Sequence, residues 1–147
     1  MDVFGRIFHH HYFKFWPILD WTWTSKEHTA LRIREFGTLQ GYKKAKARYY
    51  KLVVILDDRT SDICRALAAQ DKIYPLNDAL DVMDNLMALD TKSNSLDDAR
   101  EYIKALAPWV KEDQIEYDSE MNPVGVSGAH APFPPFHWKC RTTTAIE

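Results

Sequence analysis

A histidine and a cysteine, His137 and Cys140, stand three residues apart between Phe133-Pro134-Pro135-Phe136 and Arg141-Thr142-Thr143. Imidazole and thiolate are soft metal ligands, and a short turn lets both face one centre. One such pair does not close a tetrahedral site. The only other cysteine is Cys64, in Asp57-Asp58-Arg59-Thr60-Ser61-Asp62-Ile63-Cys64-Arg65. A zinc set of Cys64, His137 and Cys140 would take His130, Asp62 or water as its fourth ligand, since Ser61 is a poor one. Three other chemistries use the same residues. The thiols can pack together as core with a hydrogen-bonded His137, join as a Cys64–Cys140 disulfide, or offer a Cys64/His137 nucleophile–base pair. Asp58, Arg59 and Arg141 form a second constellation. There a carboxylate and a guanidinium either fix a turn through bidentate bonds or address a phosphodiester.

The two segments together carry a resemblance. Asp58-Arg59-Thr60 with Ile63-Cys64-Arg65-Ala66-Leu67, followed by Pro134-Pro135-x-His137-x-x-Cys140-Arg141, resembles the phage Mu F-like head morphogenesis family of minor capsid proteins. Arg34-x-x-Gly37-Thr38-Leu39-Gln40-x-Tyr42 fits the same pattern, so the likeness runs from Lys26 to Thr144. It departs at Ser61, where the family pattern has the first cysteine of a Cys-x-x-Cys pair, and residues 73–125 follow no family pattern. The resemblance implies a minor head protein of a tailed phage or prophage, acting near the portal in head assembly or DNA delivery. Its partners would be the portal or other head proteins, its place the virion or the host cytoplasm during assembly. It implies no catalysis and requires no cofactor, zinc being the one ion the motif invites. The competing class is an enzyme, a toxin-associated or nuclease-like domain working through Cys64 and His137.

The elements that must position these residues are legible in outline. Lys51–Leu56 is a continuous apolar, β-branched run bounded by Asp57-Asp58, which predicts a central strand buried on both faces. Ser61 or Thr60 can cap a short helix through about Ala69 with Cys64 in its first turn, a placement that lowers a thiol's pKa. The threonine-rich Arg141–Ile146 predicts a strand beside the central one, and Ile73–Leu76 a third. Antiparallel pairing would bring the end of the central strand to the start of the last, so that Cys64, His137 and Cys140 meet at one sheet edge. The fold class is therefore α+β, a small antiparallel sheet with packed helices and an inserted helical hairpin over residues 77–107. In that hairpin Asn77 caps a helix to Leu89 with a Leu80, Met83, Met87 stripe. Ser95 caps another, with Ala99, Ile103 and Leu106 inward. Residues 112–120 read as acidic and strand-like, and residues 122–128 as loop.

The remaining chain divides at residue 24. Residues 1–24 form an aromatic arm around His9-His10-His11, and residues 25–147 the domain. The arm either packs on its own domain or docks into another protein, and its histidines either lie on the surface or bind a metal. Thr24 opens a capping box with Glu27, and the helix that follows should weaken at Gly37 and Gly41. At 147 residues and 46% hydrophobic the composition is globular, with no apolar run long enough to span a membrane and no signal-peptide pattern. The net charge of −2 conceals a basic front: residues 1–56 hold ten Lys/Arg against four Asp/Glu, and residues 57–147 hold nine against seventeen. Lys43, Lys44, Lys46, Arg48 and Lys51 concentrate that charge. They read either as a solvated face or as a non-specific contact to double-stranded DNA phosphates.

Overall fold

The computed structural model describes residues 26–92 and 94–147. The aromatic arm, its histidines and the Thr24 cap lie outside the described residues. Within them the chain is α+β, with a three-stranded antiparallel sheet and helices packed against it. The order is α1 (Lys26–Lys44), β1 (Tyr49–Val53), α2 (Asp62–Gln70), β2 (Ile73–Pro75), α3 (Leu76–Met87), α4 (Leu89–Lys92) and α5 (Leu96–Leu106). A single 3-10 turn (Glu112–Gln114), β3 (Ile115–Tyr117), β4 (Pro123–Val126) and β5 (Thr143–Ile146) follow. Among the described residues no helix is long and apolar enough to cross a membrane.

The main sheet has the order β2-β1-β5. β1 is central, with Lys51 opposite Ile73 on one side and Val53 opposite Thr143 on the other. It is not buried on both faces, as its apolar run suggested. Tyr50 is fully buried and Leu52 half-buried, while Tyr49, Val53, Ile55 and Leu56 are exposed. Antiparallel sheets need only one covered face, and here the helices lie on one side. The strand also stops at Val53, because the next residues turn away to form the Asp57–Thr60 loop.

α1 runs unbroken through Gly37 and Gly41. Each glycine costs about 1 kcal/mol relative to alanine in a helix interior, but both sit on the exposed side. Half-buried Arg32, Phe36 and Tyr42 and buried Glu35 and Leu39 make the opposite face at helical spacing. The helix ends at Lys44, since Lys46 turns left-handed (φ 58°) and Tyr49 enters β1. Leu39, Tyr50, Tyr74, Leu76, Leu80, Met83 and Phe133 form the larger core, where Tyr50 stacks on Tyr74 and Phe36 meets Phe133 edge-on.

In the 77–107 segment α3 begins one residue before Asn77, with Pro75 at its cap, so Asn77 is not the cap residue. Leu80, Met83 and Leu86 are buried, whereas Met87 is 65% exposed and leaves the expected stripe. Ser95 caps α5 as its sequence implied, accepting from the Asp98 N–H at 3.1 Å. The link between the two holds a further short helix, α4. Residues 123–126 are a strand and not a loop: β4 pairs with β3 in a hairpin with an irregularity at Glu116/Tyr117. Pro123 is tolerated as the first residue of an edge strand. Asp118 organises the turn by accepting the Glu120 and Asn122 N–H groups, both at 2.9 Å.

Candidate metal centre

Three tight local structures deliver the site. After β1, the Asp57–Thr60 turn is closed by its own side chains. The Asp57 N–H donates to Thr60 Oγ1 (2.9 Å), Thr60 Oγ1 donates to the Ile55 carbonyl (2.6 Å), and the Arg59 N–H donates to Asp57 Oδ1 (2.9 Å). The turn launches α2, whose N-cap is Ser61. Its hydroxyl accepts from the Cys64 N–H at 3.2 Å, which fixes Cys64 in the first turn. On the other side, Pro134–Pro135 (a cis peptide bond) leads into a turn at His137–Lys139, where Lys139 is left-handed at φ 57°. Cys140 follows, just before β5.

The β1–β5 register brings these pieces together. Cys64 Sγ lies 3.8 Å from Cys140 Sγ, 3.0 Å from His137 Nε2 and 3.1 Å from Thr142 Oγ1. Cys64, His137 and Cys140 each offer a ligand atom, all within 4.8 Å of one another. Both cysteines are buried free thiols, so the disulfide alternative does not describe this structure. His137 Nδ1 is 2.6 Å from the Trp138 carbonyl and so carries the proton, which leaves the Nε2 lone pair facing the sulfurs and the Ser61 hydroxyl at 2.9 Å.

The electrostatics follow from this crowding. The hydrogen bond with Cys140 and burial push the Cys64 thiol up, and this outweighs the helix N-terminus that was expected to lower it. Cys140 is held well below the usual thiol range by the hydrogen bond from Cys64, the neighbouring His137 and a backbone bond at Phe136, against its burial. Burial works to lower the His137 pKa, but its hydrogen bond to Cys140, the charge there and the Trp138 carbonyl leave it raised.

Several expected members lie elsewhere. His130 is not in the cluster: its ring is wedged edge-on between Tyr74 and Phe136, and its Nδ1 is spent on the Ala131 carbonyl at 2.7 Å. Asp62 accepts from the Tyr117 hydroxyl at 3.2 Å, outside the ligand set. The carboxylate paired with Arg141 is Asp57, not Asp58: Nη2 and Nη1 donate to its two oxygens at 2.6 and 2.9 Å. Asp57 closes the turn and faces inward, whereas Asp58 and Arg59 are exposed. The Arg141 guanidinium holds the Asp57 carboxyl well below the usual carboxylate range. Among the aromatics flanking the motif, Phe136 packs with the cysteines. Phe133 belongs to the larger core, and Trp138 is 42% exposed.

Ser61, Thr142 and Asp57 were not singled out as site residues by sequence reasoning. For Thr142 a signal existed: in a strand of alternating side chains, Thr142 and Thr144 share a face. Both are buried. Thr142 meets Cys64, and Thr144 donates to Glu35 and meets Tyr42 at 3.1 Å.

The basic residues form no comparable centre. Lys43 and Lys44 end α1, and they, Lys46 and Arg48 are exposed, while Lys51 lies on the open face of β1 with its amine 2.8 Å from Glu147. The charge available to an outside phosphate is therefore carried by the first four.

No family model, curated protein or solved structure matches this chain.

Proposed function

We propose that the chain is a minor head protein of a tailed phage or prophage, working near the portal in assembly or DNA delivery. The observation that carries the reading is the convergence of the two motifs behind the resemblance. Asp57–Arg65 and Phe133–Thr142 meet through Cys64, His137, Cys140 and the Asp57–Arg141 pair. Residues far apart in sequence thus act as one clasp, which gives a physical reason for both motifs to occur in one chain. The clasp is a knot of mutual hydrogen bonds with both cysteines buried at its centre, suited to holding a domain in one shape while its surface binds other head proteins. Exposed Lys43, Lys44, Lys46 and Arg48 supply a phosphate-binding face of the sequence-independent kind. The test is co-expression with the portal and major capsid proteins of the phage or prophage that carries it, followed by gradient purification of particles and mass spectrometry. A few copies per particle are expected; a chain that never sediments with particles refutes the role.

One observation favours a second reading, a thiol enzyme: the 3.0 Å contact between Cys64 Sγ and His137 Nε2. Against it, Cys64 is 4% exposed, whereas an attacking thiolate must be accessible to its substrate. Turnover of nucleic acid or ester substrates that vanished in Cys64→Ala with the fold intact would decide for the enzyme.

A further inference from the structure

We propose that Cys64, His137 and Cys140 bind one zinc ion as a three-ligand set, with the fourth position open to the adjoining cleft and filled by water or a small anion. The inference does not depend on the head reading and survives its failure.

The donor chemistry comes first. Two sulfurs and an imidazole select zinc over the hard cations magnesium and calcium. Geometry comes second. With Zn–S near 2.3 Å, Zn–N near 2.05 Å and tetrahedral angles, two thiolate ligands stand about 3.8 Å apart and a thiolate and imidazole about 3.6 Å apart. The sulfurs here are 3.8 Å apart. The Cys64–His137 contact of 3.0 Å is a hydrogen bond that must open by about 0.6 Å as the ion takes its place.

Supporting groups come third. The Trp138 carbonyl holds the His137 tautomer with Nε2 free to ligate, and the Thr142 hydroxyl sits 3.1 Å from Cys64 Sγ. Ligands to zinc are held in this way by a neighbouring carbonyl or hydroxyl. Each ligand also stands on a fixed element: the capped start of α2, the Lys139 turn and the residue leading into β5.

The fourth position distinguishes this site from a closed structural one. Where a third cysteine would stand as the fourth ligand in a Cys-x-x-Cys pair, the chain has Ser61, and His130 is turned away into the aromatic core. A cleft of about 20 Å³ opens there, lined by Arg59, Thr60, Ser61, Cys64, His137 and Arg141 among others. Its size suits one water or a comparably small ion. Arg141 on its wall is already paired with Asp57, so Arg59 is the arginine there that favours an anion over a neutral ligand.

The experiment titrates the full reduced chain with Co²⁺, whose spectrum reports geometry and ligand type, and then displaces it with Zn²⁺. Expected are one ion per chain, a thiolate-to-metal charge-transfer band, and the intense visible bands of four-coordinate cobalt. Azide should shift those visible bands, because it enters the open position. Cys64→Ser, His137→Ala and Cys140→Ser should each weaken binding by more than about 100-fold, beyond what loss of a supporting residue costs. Because these variants can also unfold, Ser61→Cys supplies a gain-of-function arm. It should tighten binding and abolish the azide response by closing the site with a third sulfur. A folded wild-type chain that binds no Co²⁺, or binds it without a charge-transfer band, overturns the metal site. Visible bands indifferent to azide in the wild type overturn the open position.

Discussion

Ser61→Ala should cost more than the loss of a helix cap. Ser61 Oγ accepts from the Cys64 N–H at 3.2 Å and meets His137 Nε2 at 2.9 Å. Losing an N-cap serine costs about 1 kcal/mol, within a range of roughly 0.5–2. Losing a neutral, part-buried hydrogen bond costs about 1 kcal/mol more, so the two effects together come to about 2 kcal/mol. Ser95 provides the reference, because it caps α5 through the Asp98 N–H in an exposed setting. Ser95→Ala should therefore cost the cap alone, about 1 kcal/mol. Equilibrium urea unfolding measures both, with the m-value unchanged if only native contacts are lost. Repeating Ser61→Ala in a His137→Ala background should recover about 1 kcal/mol of coupling, within the range seen for residues in contact. If Ser61→Ala is no worse than Ser95→Ala, or shows no coupling to His137, the clasp does not contribute as argued.

Three further outcomes are expected. Glu35 is buried with Oε2 unpartnered among the described residues, and burial raises its pKa above the usual 4.5 despite the Thr144 hydroxyl pulling the other way. Its folded value lies above its unfolded one, so stability falls as pH rises through that window. Glu35→Gln should therefore be more stable than wild type at pH 7 by about 1–3 kcal/mol, the gap closing near pH 4 in urea midpoints; a less stable variant at pH 7 refutes this. Phe136 is 0% exposed against both cysteines and the His130 ring, so Phe136→Ala should cost about 3–5 kcal/mol in the same assay. Binding to duplex DNA should fall with salt, the logarithmic slope being about −0.9 per engaged cation, and Lys43→Glu with Lys46→Glu should reduce that slope by about 2 for every sequence alike. Lys51→Glu should change it less because Glu147 already holds that amine, and binding indifferent to salt would exclude a phosphate contact.

The sequence by itself determined the class of the fold and the meeting of its two motifs. A β-branched run ending at acidic residues and a threonine run starting after Cys140 are enough to imply an antiparallel pair, and that pairing fixes where the cysteines must go. Ser61 and Ser95 announced their helices because a cap is a local bond between near neighbours. Packing decided what lies beyond a few residues' reach. Whether Asp57 or Asp58 faces Arg141 depends on how the Asp57–Thr60 turn closes, and adjacent carboxylates look alike in a string of letters. His130 carries the same ligand atoms as His137, but its ring is claimed by Tyr74 and Phe136, residues 56 and 6 positions away. The β3–β4 hairpin was hidden by Pro123 and Gly125, which read as loop until Ile115 and Val126 are seen paired and packed on α2. Glu35 interrupts the apolar stripe of α1 because it answers to Thr144, 109 residues away, a partner that only the tertiary structure can supply.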